Sequence, residues 1–403
     1  MLRSLFSGIS GLRAHQQMMD VTGNNIANVN TAGFKSSQAV FQDTLNQMLK
    51  SPAAPQDEVQ GGTNPAQVGL GVQLAGISTN FTQGSAQTTG RSTDLMITGD
   101  GFFTVKNNEE TLYTRSGSFS FDADGSLVTA DGARVQGWVA DPETGEIPSN
   151  TTPTNLSLPI STLLAPSQTT EVTFAGNLPS DAEEGTVVTP SLTVYDGSGN
   201  ATELTVTLTK TAATNVWNLN VGDGTNAPEV TGTITFDDDG TNPVTDPSPL
   251  TFAATAGDID VDLAGLTNYA GTTTVAPQNQ DGYAMGSLQG FSITKDGQLV
   301  GSFTNGLRKP LGQIALASFN NAAGLEKAGG SMFRGTVNSG VAQLGTPGGG
   351  SRGSIMGGTL EMSNVDLASE FTNLIIAQRG FQANSKVIST SDELLNDLVN
   401  LKR

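Results

Sequence analysis

Residues 22–35, TGNNIANVNTAGFK, place four asparagines, two glycines and two threonines directly behind an apolar, helix-like segment. Asparagine side chains bond to nearby backbone and glycine supplies positive φ, so the stretch reads as a helix end followed by a turn. A plain helix stop needs fewer such residues. The surplus at Asn24, Asn25, Asn28 and Asn30 can bond local backbone or neighbouring copies of the chain, with Gly33 as the positive-φ site. The choice depends on what the preceding helix packs against.

Upstream, Leu2, Leu5, Ile9, Leu12, Met19 and Ile26 recur at alternating spacings of three and four, with Gln16 and Gly23 in the remaining seam positions. This heptad pattern predicts a helix from Leu2 to about Asn28, roughly 40 Å long. The far end carries its own seven-residue series, Leu360, Leu367, Leu374, Phe381, Ile388 and Leu395, widened by Phe371, Leu394, Leu398 and Leu401. Ser363 and Asp366 mark its start, since each side chain can accept from a free backbone N–H, and the helix to Leu401 should run roughly 60 Å. Gly380 lies inside it at a cost of about 1 kcal/mol against alanine. Two readings of the stripes stand side by side. The two ends pair with each other, or they also face other copies, with Leu5, Ile9, Leu12, Met19, Ile26, Leu367, Leu374, Phe381, Ile388 and Leu395, together with Asn24, Asn25 and Asn28, as interface residues.

Between the ends the period drops toward two. GFFTV (101–105), SFSFD (118–122), SLTVYD (191–196), ELTVTLTK (203–210) and GTITFDDD (232–239) alternate as strands do. Asp100, Asp124, Asp131, Asp196, Asp223, Asp239, Asp281 and Asp296 are each followed by glycine, a pair that supplies the positive φ of tight hairpins. Residues 151–275 hold fifteen acidic residues and one basic residue, Lys210, so this stretch carries −14 of the chain's −19. It reads as an inserted β domain. The stretch 51–71 reads as a linker or extended arm, and GTPGGGSRGS (345–354) as its counterpart on the return path. The expected fold is α+β: long terminal α-helices in a coiled-coil-like core domain (1–35 with 360–403), connecting arms (36–75 with 340–359), a β domain (76–155 with 276–339) and an acidic β insert (156–275) nested inside it.

Composition excludes several functions. Cysteine is absent, which removes disulfides and thiolate chemistry, and the net charge of −19 argues against nucleic acid or anionic lipid as a partner. His15 is the only histidine and falls on the polar side of the heptad helix, so a histidine-dependent catalytic site has no support. GTPGGGSRGS lacks the Gly-Lys-Ser/Thr ending of a phosphate loop. DADG (122–125) and DDDG (237–240) suit hairpin turns. The first lacks the closing Glu of a calcium loop, with Ala133 in its place, while Asp237, Asp238 and Asp239 leave weak Ca²⁺ binding open. No cofactor is expected. No stretch has the ~18 continuous apolar residues of a membrane span. Ser4, Ser7, Gly8, Ser10, Gly11 and Arg13 break up any signal-peptide core, so the chain either stays inside or leaves by a route that reads no cleaved signal.

TGNNIANVNTAGFKSS (22–37) resembles the N-terminal signature of bacterial flagellar rod and hook proteins, and residues 363–403 resemble the matching C-terminal signature. STDLMITGDGFFTV (92–105) and YTRSGSFSFDADGSLVTADGARVQGW (113–138) are similar to the β domain that these proteins share. Within the family, the length and the acidic insert resemble hook subunits rather than the shorter rod subunits. The resemblance implies a non-enzymatic structural subunit that polymerises with copies of itself into a curved tube, a universal joint between motor and filament. It implies terminal helices lining the tube and β domains forming outer layers. It further implies rod, hook-cap and hook–filament junction proteins as partners, passage through the flagellar type III export apparatus, and an extracellular place on the flagellum. The rival in the same class is a distal rod or junction subunit. From other classes come a secreted β-rich adhesin and a hydrolase using the Asp clusters.

Overall fold

The structure, a computed structural model, describes residues 2–53, 61–141, 144–158, 163–222, 230–254 and 257–400. Leu401, the Asp223–Gly224 pair, residues 54–60 of the expected linker, and the side chains of Leu2 and Leu398 lie outside that description. The chain divides into two compact units. One comprises Met1–Leu158, Ser292–Val300 and Pro310–Arg403, the other Pro159–Phe291 and Gly301–Lys309.

The first unit holds both helices. α1 spans Leu2–Ala27 and α2 spans Leu367–Asn400. Asp366 caps α2 as the sequence predicts, its Oδ1 accepting from the backbone N–H of Ala368 at 2.9 Å. The helices run antiparallel: Gly8 lies beneath Ile388, Gly11 beneath Asn384, Gly380 beneath the His15 ring, and Asn25 meets Glu370.

The expected arm is an ordered hairpin. Ser37–Asp43 pairs antiparallel with Val72–Thr79, and Asn46–Lys50 with Ala66–Gly69, extended by a bridge from Ala53 to Thr63. Reading 51–71 as a linker therefore missed that both flanks belong to one ladder. The return stretch is no free arm either. Gln343–Gly345 pairs with Leu316–Ser318, Ser354–Gly357 with Leu95–Thr98, and Thr359–Glu361 with Ala86–Thr88. These strands belong to a β body in which Phe102–Asn107 pairs with Glu110–Thr114, Arg134–Val139 and Leu316–Ser318. Its core is built on Leu95, Ile97, Phe103, Phe119, Leu127, Val135 and Ile314, with a second aromatic cluster of Phe102, Tyr113 and Phe333. Gly125 closes the turn between Phe119–Phe121 and Leu127–Thr129 at φ +78°, and Asp122 Oδ1 accepts from Ser126 N at 2.6 Å, so DADG is a hairpin turn.

The second unit is two sheets around one core. Val187–Val188, Ala201–Lys210, Val216–Gly222, Val230–Thr235 and Val244–Asp246 form one, with Ser191–Tyr195 also on Ala201–Lys210. Thr251–Ala254, Gly257–Thr267, Glu171–Asn177 and Ala276–Gln280 form the other. Leu204, Val206 and Leu208 alternate inward to meet Phe174, Trp217 and Phe252. Lys210, the one base of the acidic stretch, ends that inward row with its ammonium 5.5 Å from the centre of the Trp217 ring. The unit continues through Phe291 and takes in 301–309, beyond the 275 boundary drawn from charge. Charge marks surface composition, whereas the strand Ala276–Gln280 is uncharged and pairs with Glu171–Asn177.

Candidate functional site

The helix–helix seam consists of small and polar side chains. On α1 it runs through Gly8, Gly11, Ala14, Thr22 and Asn25, and on α2 through Ala377, Gly380, Asn384 and Ser391. Glycine at Gly8, Gly11 and Gly380 lets the backbones approach, since a Cβ at any of them would press on Ile388, Asn384 or the His15 ring. The cost of Gly380 within a helix therefore serves His15, which lies between the helices and not on a polar outer face as the heptad count placed it.

The heptad reading of α1 is out of register by one residue. Leu5, Leu12, Met19 and Ile26 are half-buried beside the seam, and Ile9 is exposed. On α2, Leu374, Ile388 and Leu395 are half-buried at the seam's edge, while Leu367 and Phe381 are exposed. Phe6 (65 %), Phe371, Ile375, Ile376 (52 %) and Leu394 stand in solvent. Apolar count picked the stripe, but close approach of two backbones selects small residues. The coiled-coil seam predicted from Leu5, Ile9, Leu12, Met19 and Ile26 is thus replaced, within the chain, by the glycine-lined one.

Asn25 is fully buried and spent inside the chain. Its Nδ2 donates to Ser37 O at 2.7 Å and Glu370 Oε1 at 2.9 Å, and its Oδ1 accepts from Ser37 N at 3.0 Å. Asn28 Nδ2 donates to Asn24 Oδ1 at 3.0 Å and its Oδ1 accepts from Thr31. Asn24, Asn25 and Asn28 thus bond locally at the helix end, and Asn25 is buried with both its amide groups engaged inside the chain.

Beyond Asn28 the chain enters an anchor that sequence reading missed. Gly33, at φ +70°, lies against the Arg115–Ser116 backbone and donates its N–H to Glu361 O at 2.7 Å. Glu361 is buried. Its Oε1 accepts from Lys35 Nζ at 2.6 Å and from Gly84 N at 2.9 Å, and its Oε2 lies 3.5 Å from Arg115 Nη1. Burial pushes the Lys35 ammonium below its ordinary value, against the hydrogen bond and charge of Glu361, and burial likewise lowers Arg115. Asn364 adds a second tie, accepting from Ser36 N at 2.8 Å and donating to Asn80 O at 2.8 Å. Lys327 donates to Ser37 Oγ at 2.8 Å and sits 5.0 Å over the Phe34 ring. In a chain with only 14 % charged residues, Lys35 within TAGFK and Glu361 just before the Ser363 helix-start signal are the available signal.

Asp237, Asp238 and Asp239 form a turn in which Gly240 has φ +70° and Asn242 Nδ2 donates to Asp237 Oδ2 at 2.9 Å. Among the described residues no group of three or more His, Cys, Asp or Glu side chains is arranged to hold a metal ion. No described helix is long and apolar enough to cross a membrane.

Three family models match. "Flagella basal body rod protein" covers residues 5–35, "Flagellar hook protein FlgE/F/G D1 domain" covers 96–241 and "Flagellar basal body rod FlgEFG protein C-terminal" covers 356–401. The flagellar hook protein FlgE of Treponema pallidum is 40 % identical over 465 aligned positions, and that of Borreliella burgdorferi 42 % over 446, each covering 100 % of both chains. The flagellar basal-body rod protein FlgG of Bacillus subtilis is 32 % identical over 404 positions, again across 100 % of both. The crystal structure of the Helicobacter pylori hook protein FlgE2 shares the fold, with a TM-score of 0.56 at 14 % identity, covering 68 % of this chain and 100 % of that one. The class is therefore a structural protein of the flagellum, not an enzyme. Within it, the chain belongs to the flagellar hook protein FlgE family.

Proposed function

We propose that the chain polymerises through its terminal helices into a curved helical tube that passes motor torque to the filament as a universal joint. One observation carries this reading. The seam inside the subunit uses glycine, alanine and asparagine, while Phe371, Ile375, Ile376 and Leu394 remain in solvent. Apolar surface gains about 25 cal/mol per Å² when covered, so such helices reach their lowest free energy only beside other copies. Rod proteins, the hook cap and junction proteins meet the two ends of the tube. The subunit travels through the flagellar type III apparatus and works outside the cell.

The acidic unit supports a division of labour. Like-charged units with polar faces resist sticking and make wet contacts that slide as the tube turns. Purified chain brought to polymerising salt and imaged by electron microscopy should give curved tubes. Straight tubes would favour the rod reading, which the full-length likeness to a rod protein keeps in view. With 159–291 replaced by a short linker, tubes should still form with altered curvature. No tube from the intact chain overturns the reading.

A further inference from the structure

Two exposed faces of the terminal helices differ in charge, and each carries apolar side chains. The N-terminal part of α1 presents Phe6 (65 % exposed) and Ile9 (41 %), flanked by Arg3 and Arg13. The C-terminal part of α2 presents Val387 (43 %) and Leu394 (52 %), flanked by Glu393 and Asp397. At about 100° per residue, Ala383, Val387, Thr390 and Leu394 fall on one side of α2. Together with Lys386 and Ser391, Ala383, Val387 and Thr390 line a shallow, largely open recess on that side. None of Arg3, Arg13, Glu393 and Asp397 takes part in an ion pair among the described residues.

From these features we infer that Phe6 of one copy docks into the Val387 recess on α2 of the next copy, with the basic rim of α1 against the acidic rim of α2. The inference rests on the polymer reading above. A subunit cannot make this contact with itself. Gly8 faces Ile388 and Asn384 of its own α2, and Phe6, two residues away, points about 160° round the helix from Gly8. Repeated head to tail, the contact has each copy give Phe6 to one neighbour and its recess to another, so a pair joined once keeps one free Phe6 face and one free recess. A reciprocal two-fold pair would instead use both faces at once and stop at a dimer. Lys386, at the other edge of the recess, repels Arg3 and Arg13 and favours docking toward the acidic end. Each contact is small, which keeps free subunits apart until many contacts close together.

The absence of cysteine makes the test clean. Full-length Phe6→Cys and Val387→Cys chains are mixed, polymerised in salt, oxidised and run without reductant. The expected result is a covalent dimer that needs both chains, and a ladder from chain carrying both substitutions. Dimers from the Phe6→Cys chain alone would mean a self-complementary contact and overturn the proposal. So would an internal bridge in the doubly substituted monomer, or tubes that give no mixed dimer. If intact chain forms no tubes, the polymer reading itself fails. A second pair covers the case in which Phe6→Cys blocks assembly. Arg3→Glu or Glu393→Arg should each raise the concentration needed for tubes about fivefold, and the double variant should restore it. Failure of the double variant to restore assembly overturns the proposal.

Discussion

The core of the acidic unit and the seam between the terminal helices are built from opposite materials. In the former, Trp217, Phe174, Phe252 and Leu204 are fully buried and the strands alternate cleanly between core and water. In the latter, Gly8, Gly11, Gly380, Asn25 and Ser391 are inside, and Phe6, Phe371, Ile375 and Ile376 are outside. The first region is finished by its own sequence. The second brings two backbones close and leaves its hydrophobic capacity unspent, which is what a subunit needs if other copies are to complete it.

Substitutions can break or sharpen this contrast. Trp217→Ala should cost the acidic unit about 4 kcal/mol, read as a lowered denaturation midpoint, with the helical circular-dichroism signal of the terminal pair unchanged. Glu361→Gln leaves Lys35 and Arg115 buried without their anion and should cost about 3 kcal/mol in the first unit. Gly380→Ala gains about 1 kcal/mol of helix propensity but drives a methyl into the His15 ring. Overpacking costs about 1–3 kcal/mol, so the net loss should be about 1 kcal/mol and should vanish in the Gly380→Ala, His15→Ala double variant. Ile376→Ser should shift the melting of the free subunit by less than about 0.5 kcal/mol while impairing tube formation. A large loss of monomer stability there would show that the exposed stripe already has a partner within the chain.

Much of the architecture was legible from the sequence. Asp366 announces the start of α2, and α1 ends at Ala27, one residue short of the expected Asn28. Gly101, Gly125, Gly132, Gly240 and Gly297 have the positive φ that Asp-Gly pairs predict. Gly197 and Gly282 do not, and Gly282 instead lets Thr169 approach its backbone. The seam was not legible, because heptad counting weighs apolar residues and the close approach here is bought by their absence at Gly8, Gly11 and Gly380. The hairpin escaped because Gln38, Gln42 and Gln47 blur its alternation, and its partner strands sit on either side of a Pro- and Gly-containing stretch. The Lys35–Glu361–Arg115 anchor joins positions hundreds of residues apart, and no local pattern connects them.

That separation has a kinetic meaning. Lys35 and Glu361 are 326 positions apart, and no anchor can close before both are present. A polypeptide delivered from its first residue carries Lys35 and Arg115 as hydrated cations until residue 361 emerges. Until then, closing the anchor would bury two like charges with nothing between them. The anchor that ties the first tenth of the chain to the β body therefore has no anion to close on until the last tenth is present.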